Sequence, residues 1–296
     1  MLFSTFWLHE SLRWNHILGF ALIVLAAWVI FKEWESRMFT HTLSAILICA
    51  GAALLGGFID AIAGGGGLIT MPALLLTGVP PHLALGTNKV SSCVGTSVAL
   101  GNFARSHLVL WRLALAGLVF SLLGAYAGSI LALYVNSEIL GKILVGLLPV
   151  GMCATLLPKK ERECAPRPLE GARFWTLVPL VCLLIGAYDG FFGPGTGSFL
   201  ILAFHWILRV GLIEASATSK VLNLASNFGA VVAFVWHGKV LWPLALAMTA
   251  GSVAGNWLGS RTAIRVGAKA VRRFLTISLS LLLLTLIWEY FLAPAR

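Results

Sequence analysis

The sequence predicts an all-α, polytopic integral membrane protein, built from two homologous helical repeats with broken helices and preceded by one extra N-terminal helix. Three observations predict it. The 296 residues are 59% hydrophobic and 11% charged, with a mean hydropathy of +0.92, far from the composition of a soluble domain. The apolar runs approach the roughly 20 residues that cross a bilayer as a helix and are too long for barrel strands. Third, one uncommon pattern occurs twice: an acid, a glycine cluster, a short apolar run and then a helix bearing a lysine.

In chain order, Asn15–Phe31 is apolar, lacks a small-residue cleavage site and runs into Lys32-Glu33-Trp34-Glu35. It reads as a retained extra helix rather than a signal peptide, in a segment 1–38. The first repeat covers 39–157. Thr42–Ile59 spans and ends at Asp60 and the run Gly64 to Gly67. Leu68–Leu76 is short, and Gly78-Val79-Pro80-Pro81 makes a turn. Leu83–Phe103 carries Lys89, Arg105–Arg112 is a loop, and Leu113–Tyr134 and Ile139–Leu157 are further spans. Segment 158–173 is polar, with Pro158, Pro166 and Pro168, and reads as a cytoplasmic linker. The second repeat covers 174–296. Phe174–Tyr188 ends at Asp189 and the Gly-Pro break, Ser198–Leu208 is short, and Ala215–Val235 carries Lys220. Leu241–Leu258 spans, Arg261–Arg273 reads as a basic loop, and Phe274–Phe291 is the last span.

The repeat rests on rare residue types. At an offset of 129, Gly57, Asp60, Gly64 and Gly66 fall on Gly186, Asp189, Gly193 and Gly195; at 131, Thr87, Lys89 and Trp111 fall on Thr218, Lys220 and Trp242. The drift of two lies between the break and the lysine helix, where a loop absorbs it. Segments 158–173 and 261–273 each hold five Lys or Arg. If the short run counts as a crossing, both lie on one side, as the positive-inside rule asks, and the repeats are inverted. If it is re-entrant, they lie on opposite sides. The pairs Gly124/Gly128 and Gly255/Gly259 read as close helix packing.

An acid at membrane depth is costly and usually functional. Irregular backbone survives there only under cover of protein or along a water-filled cavity. Paired broken helices are a transporter's way of building a site. From Lys89, positions i+3 and i+7 are Ser92 and Thr96; from Lys220 they are Asn223 and Asn227. An ammonium with neutral donors on one helix face suits a small anionic substrate. The competing reading has both lysines snorkelling to the interface. Gly65, Gly66, Gly195 and Thr196 would bring helix N-termini to the anion, and Asn88 and Ser219 precede the lysines. Asp60 and Asp189 have three open roles: pairing with the lysines, carrying coupled protons, or capping the broken helices.

Net charge is +10, from 21 Lys and Arg against 11 Asp and Glu. The basic residues lie mostly between apolar runs, where they set topology and meet the lipid bilayer, so no nucleic-acid partner is expected. The five cysteines (Cys49, Cys93, Cys153, Cys164, Cys182) lack CxxC spacing and read as small core residues. His107 and His237 read as wetted loop residues. The chain holds no HExxH and no GxxxxGK[ST]. Neither a metal, a cofactor nor a nucleotide-driven pump is therefore expected.

The modules Asp60…Gly64-Gly65-Gly66-Gly67…Thr87-Asn88-Lys89 and Asp189-Gly190-Phe191-Phe192-Gly193-Pro194-Gly195-Thr196-Gly197…Thr218-Ser219-Lys220 resemble the sulfite/organosulfonate exporter family, also called TauE/SafE. The resemblance covers roughly 42–292. It implies a permease of the bacterial inner membrane for small sulfur-containing anions such as sulfite or organosulfonates. Ser219 stands where the first module has Asn88, so the half-sites differ. A secondary transporter, with or without proton coupling, is the favoured expectation; a passive anion channel is the first alternative and a membrane-embedded enzyme the lesser one.

Overall fold

The computed structural model describes residues 43–137, 139, 140, 143 and 171–267. The extra N-terminal helix, most of the span 139–157, the linker through 170 and the last span lie outside the described residues. The described chain forms eight helices: α1 (Leu43–Ala63), α2 (Gly67–Leu76), α3 (Pro81–Arg105), α4 (Trp111–Tyr134), α5 (Ala172–Phe191), α6 (Thr196–Trp206), α7 (Leu212–Trp236) and α8 (Trp242–Val266). Local chemistry sets their ends. Pro81 opens α3 with a fixed φ and no N–H to leave unpaired. The glycine clusters stop α1 and α5. Gly64 and Gly193 have φ of +79° and +92°, a conformation glycine adopts at little cost.

One element departs from the sequence reading. Arg261 to Val266 is not a loop but the last turns of α8. The Arg261 guanidinium lies 3.9 Å from the Trp257 ring centroid, and Arg265 stands in the final turn, where a cation complements the helix dipole. Counting charge alone hid helical propensity that arginine shares.

The halves pack by exchange. Each opening helix lies against the last long described helix of the other half, α1 on α8 and α5 on α4. A Cβ at Gly251, Gly255 or Gly259 would come within 2.2, 2.0 or 2.3 Å of the carbonyl oxygens of Ala50, Leu54 and Phe58. One at Gly124 or Gly128 would come within 2.2 or 2.0 Å of those of Leu183 and Ala187. The GxxxG pairs are therefore close-packing seams. In both seams the residue numbers rise together, so the paired helices run parallel.

The directions of the rest follow from register. Thr87 Oγ1 accepts from the Leu241 N–H at 3.0 Å, and Thr218 Oγ1 accepts from the Leu110 N–H at 3.0 Å. α3 and α8 thus start together, as do α7 and α4. The short helices fold back on their predecessors. A Cβ at Gly56 would meet Thr70 Cγ2 at 2.8 Å, and the Phe199 ring lies 5.0 Å from that of Tyr188. Hence α1, α3 and α8 run one way, and α4, α5 and α7 the other. Ala172 and Val266 share one end of the bundle; Leu43 lies at the opposite end.

The outside of the bundle is apolar. Leu47, Leu54, Leu115, Val119, Leu123, Leu180 and Leu184 are exposed, and Trp111, Trp242, Trp236 and Tyr134 stand exposed at helix ends, as in the aromatic belts of membrane proteins. Four described helices, α1, α4, most of α5 (Arg173–Phe191) and α7, are long and apolar enough to span a membrane. The fold is that of a polytopic membrane protein.

Candidate functional site

The seams hold α1 and α5 so that their broken ends meet inside the bundle. Ser198 N donates to the Gly64 carbonyl at 3.2 Å, and Ser198 Oγ donates to that of Ala63 at 2.7 Å. A Cβ at Gly64 would stand 2.2 Å from the backbone of Gly197. The tips therefore touch backbone to backbone, an approach that only glycine permits.

Each tip carries an acid in its last helical turn, where the dipole disfavours a negative charge. Each acid is held by the lysine of the other half. Lys89 Nζ lies 2.8 Å from Asp189 Oδ1, with both side chains 2% exposed. Lys220 Nζ lies 3.0 Å from Asp60 Oδ2 and also donates to the Asp60 carbonyl. Lys220 is fully buried. The acids are not helix caps: the N-cap positions of α2 and α6 are Gly66 and Gly195, and neither makes a side-chain cap bond. The lysines are not surface anchors, since neither reaches the surface of the bundle. Pairing with the lysines is one of the three roles the sequence leaves open for the acids; the exchange between halves comes from the intertwined packing.

Beside the tips is a cavity. From the first half its lining includes Asp60, Gly66, Asn88, Lys89, Ser92 and Thr96. From the second it includes Asp189, Thr196, Asn223 and Asn227. Four other residues singled out in the sequence, Gly65, Gly195, Ser219 and Lys220, lie outside this lining. Lys220 is turned instead onto the end of α1. The Ser219 hydroxyl is directed back to the Ser216 carbonyl at 2.8 Å. Gly195, at φ +86°, forms the turn itself.

The cavity is also lined by residues that the repeat pattern does not flag: Thr70, Ser91, Ser252 and Asn256. Thr70 Oγ1 donates to Asn88 Oδ1 at 2.6 Å, tying α2 to the lysine helix. For three of them the repeat equivalents explain why symmetry missed them: Thr70 falls on Phe199, Ser91 on Leu222 and Asn256 on Ala125, whereas Ser252 falls on Ser121. The polar lining at those three positions is thus one-sided, with apolar groups in the other half. A signal was present all the same, because an amide in an apolar helix is uncommon. Two of the lining residues, Asp189 and Asn256, each hold an oxygen, Oδ2 and Oδ1, that is buried without a hydrogen-bond partner among the described residues.

Among the described residues no group of three His, Cys, Asp or Glu is placed to hold a metal ion. Cys49, Cys93 and Cys182 are free thiols; Cys153 and Cys164 lie outside the described residues.

Against known proteins, a family model described as sulfite exporter TauE/SafE matches residues 49–286. The probable membrane transporter protein YfcA of Escherichia coli K12 is 38% identical over 226 residues, covering 76% of this chain and 83% of that one. A probable membrane transporter protein of Sinorhizobium, ORF9, is 40% identical over 239 residues, 80% of this chain and 89% of its own. One from Haemophilus influenzae is 40% identical over 236 residues, 79% and 91%. No solved structure matches.

Proposed function

This chain belongs to the sulfite exporter TauE/SafE family, a family of membrane transporters rather than enzymes, and from that premise we propose that it is a secondary carrier of a small sulfur-containing oxyanion, such as sulfite or an organosulfonate, across the bacterial cell membrane. The observation that carries this reading is the exchanged pair of ion pairs at the meeting tips. A charge buried away from water needs a partner. Lys89 has one in Asp189 and also borders the cavity, so an anion arriving there can compete with the carboxylate for the ammonium. Asn88, Ser92, Thr96, Asn223 and Asn227 supply neutral donors around it, and the N-termini of α2 and α6 add oriented N–H groups. Lys220 holds the opposite tip through Asp60 and stays with it.

The same exchange supports alternating access. Two helix pairs of opposite direction, α1 with α8 and α5 with α4, meet at one point, as in a carrier whose inverted repeats rock about a central site. Asp189 is the group through which proton coupling would act: displaced from Lys89 by substrate, its carboxylate is free to take a proton. Flux in proteoliposomes containing the purified chain tests the reading. Saturable movement of sulfite or a sulfonate that responds to an imposed pH gradient supports a coupled carrier. Non-saturable, gradient-independent flux makes it a channel, and no movement of any sulfur oxyanion overturns the substrate assignment.

A further inference from the structure

Asn256 lies on α8, is 1% exposed, and lines the cavity. Its Nδ2 donates to the Ser252 carbonyl at 3.0 Å and approaches Ser252 Oγ at 3.3 Å. That bond fixes the amide, because the flipped rotamer would set Oδ1 against a carbonyl oxygen. Oδ1 is left with no donor among the described residues. Asp189 Oδ2, on the same cavity, is in the same condition. A buried acceptor without a donor is costly, and two on one cavity need a common explanation.

The fold makes room for this amide. A Cβ at Gly57 would stand 2.8 Å from both Asn256 Nδ2 and the Ser252 carbonyl oxygen, and one at Gly95 would stand 2.1 Å from Ser252 Oγ and 2.6 Å from Asn256 Nδ2. The other half shows the alternative arrangement. At an offset of 131, Asn256 corresponds to Ala125 and Gly95 to Ser226. The large and small members have changed places, which conserves bulk and removes the amide. Asn256 is therefore a polar group installed on one half alone.

The oxygens of a sulfonate or of fully ionised sulfite only accept hydrogen bonds, so such a head cannot satisfy an amide oxygen. We propose that Asn256 is a specificity-determining residue whose Oδ1 accepts a hydrogen bond from an O–H or N–H on the cargo, so that the protein prefers small anions bearing such a donor. The proposal rests on the anion-carrier reading and adds the second end of the ligand. Lys89 and its neutral neighbours take the anionic head; Asn256 reads the donor.

The test is binding to the purified full-length chain by calorimetry, using two isosteric pairs. The first is 2-hydroxyethanesulfonate against propane-1-sulfonate, and the second is 3-hydroxypropanoate against butanoate. The hydroxyl member should bind about ten- to a hundredfold tighter, the usual result when a site's polar group is left unpaired. The ratio should fall to about one in Asn256→Ala. It should fall equally in Asn256→Leu, which keeps a side chain of similar bulk and removes the acceptor, and so separates a lost cavity filling from a lost hydrogen bond. A ratio of one in the parent overturns the proposal without any variant, as does a ratio retained in both variants. A preference confined to the carboxylates keeps the donor rule and overturns the sulfur reading. Binding of none of the four overturns the donor rule, and sulfite titrated in the same assay then decides whether the carrier reading stands.

Discussion

Removing the Lys89 ammonium while keeping its bulk, as in Lys89→Met, leaves Asp189 behind. Asp189 is 2% exposed, so almost no water can replace the lost partner. Its Oδ1 keeps the Thr196 hydroxyl at 2.6 Å, one neutral hydrogen bond in place of an ion pair. Breaking a buried pair from one side costs about 3–5 kcal/mol, whereas removing both charges is often neutral. The single variant should therefore lose about 3–5 kcal/mol of stability, and Lys89→Met/Asp189→Asn should recover most of it. Unfolding in mixed detergent micelles measures the stabilities. Flux in proteoliposomes should be absent from both, because neither offers the ammonium to an anion. The reasoning is refuted if the double variant is no more stable than the single, or if Lys89→Met carries substrate with parental affinity.

Thr87→Val and Thr218→Val should each cost about 1 kcal/mol in the same unfolding assay, since each leaves a loop N–H, of Leu241 or Leu110, without its acceptor. Equal losses are expected from the matching geometry; a loss from only one would deny the equivalence. Gly66→Leu should abolish flux, because even a Cβ there would stand 2.6 Å from the Gly56 carbonyl oxygen. Gly195→Leu should do the same, because φ is +86°. Parental flux from well-expressed forms of either would remove the glycine breaks from the mechanism. Single cysteines at Gly171 and Gly267, which flank α5 and α8 at one end of the bundle, should be labelled from the same, cytoplasmic face; labelling from opposite faces would refute the helix directions.

Much of this was legible because rare residues in an apolar chain stand out. The acids, the glycine breaks and the lysine helices were all visible, and the two GxxxG pairs marked seams that the backbone contacts bear out. What was not legible depends on three-dimensional exchange. Nothing in the sequence says that Lys89 meets Asp189 rather than Asp60, because that follows from α1 lying on α8 and α5 on α4. Asn256 escaped because the repeat comparison rewards sameness, and its equivalent is Ala125. Arg261 and Arg265 read as loop residues by charge, whereas the ring of Trp257, one turn earlier, covers the Arg261 guanidinium and lets the helix continue.

The exchanged seams have a consequence for how the chain is made. α1 touches α2 and α3 in its own half, but its long seam is with α8, which follows about 200 residues later, roughly 10–40 s of synthesis at ribosomal rates. Lys89 waits about 100 residues for Asp189, and Asp60 about 160 for Lys220, at those same rates. For that interval a newborn first half holds a lysine and an aspartate in lipid, each without its counter-charge. Its Gly64 tip has no Gly197 to meet. The first half alone therefore lacks the α1–α8 seam and both counter-charges, and a translation arrest between the halves should yield a substrate for membrane quality control rather than half a carrier.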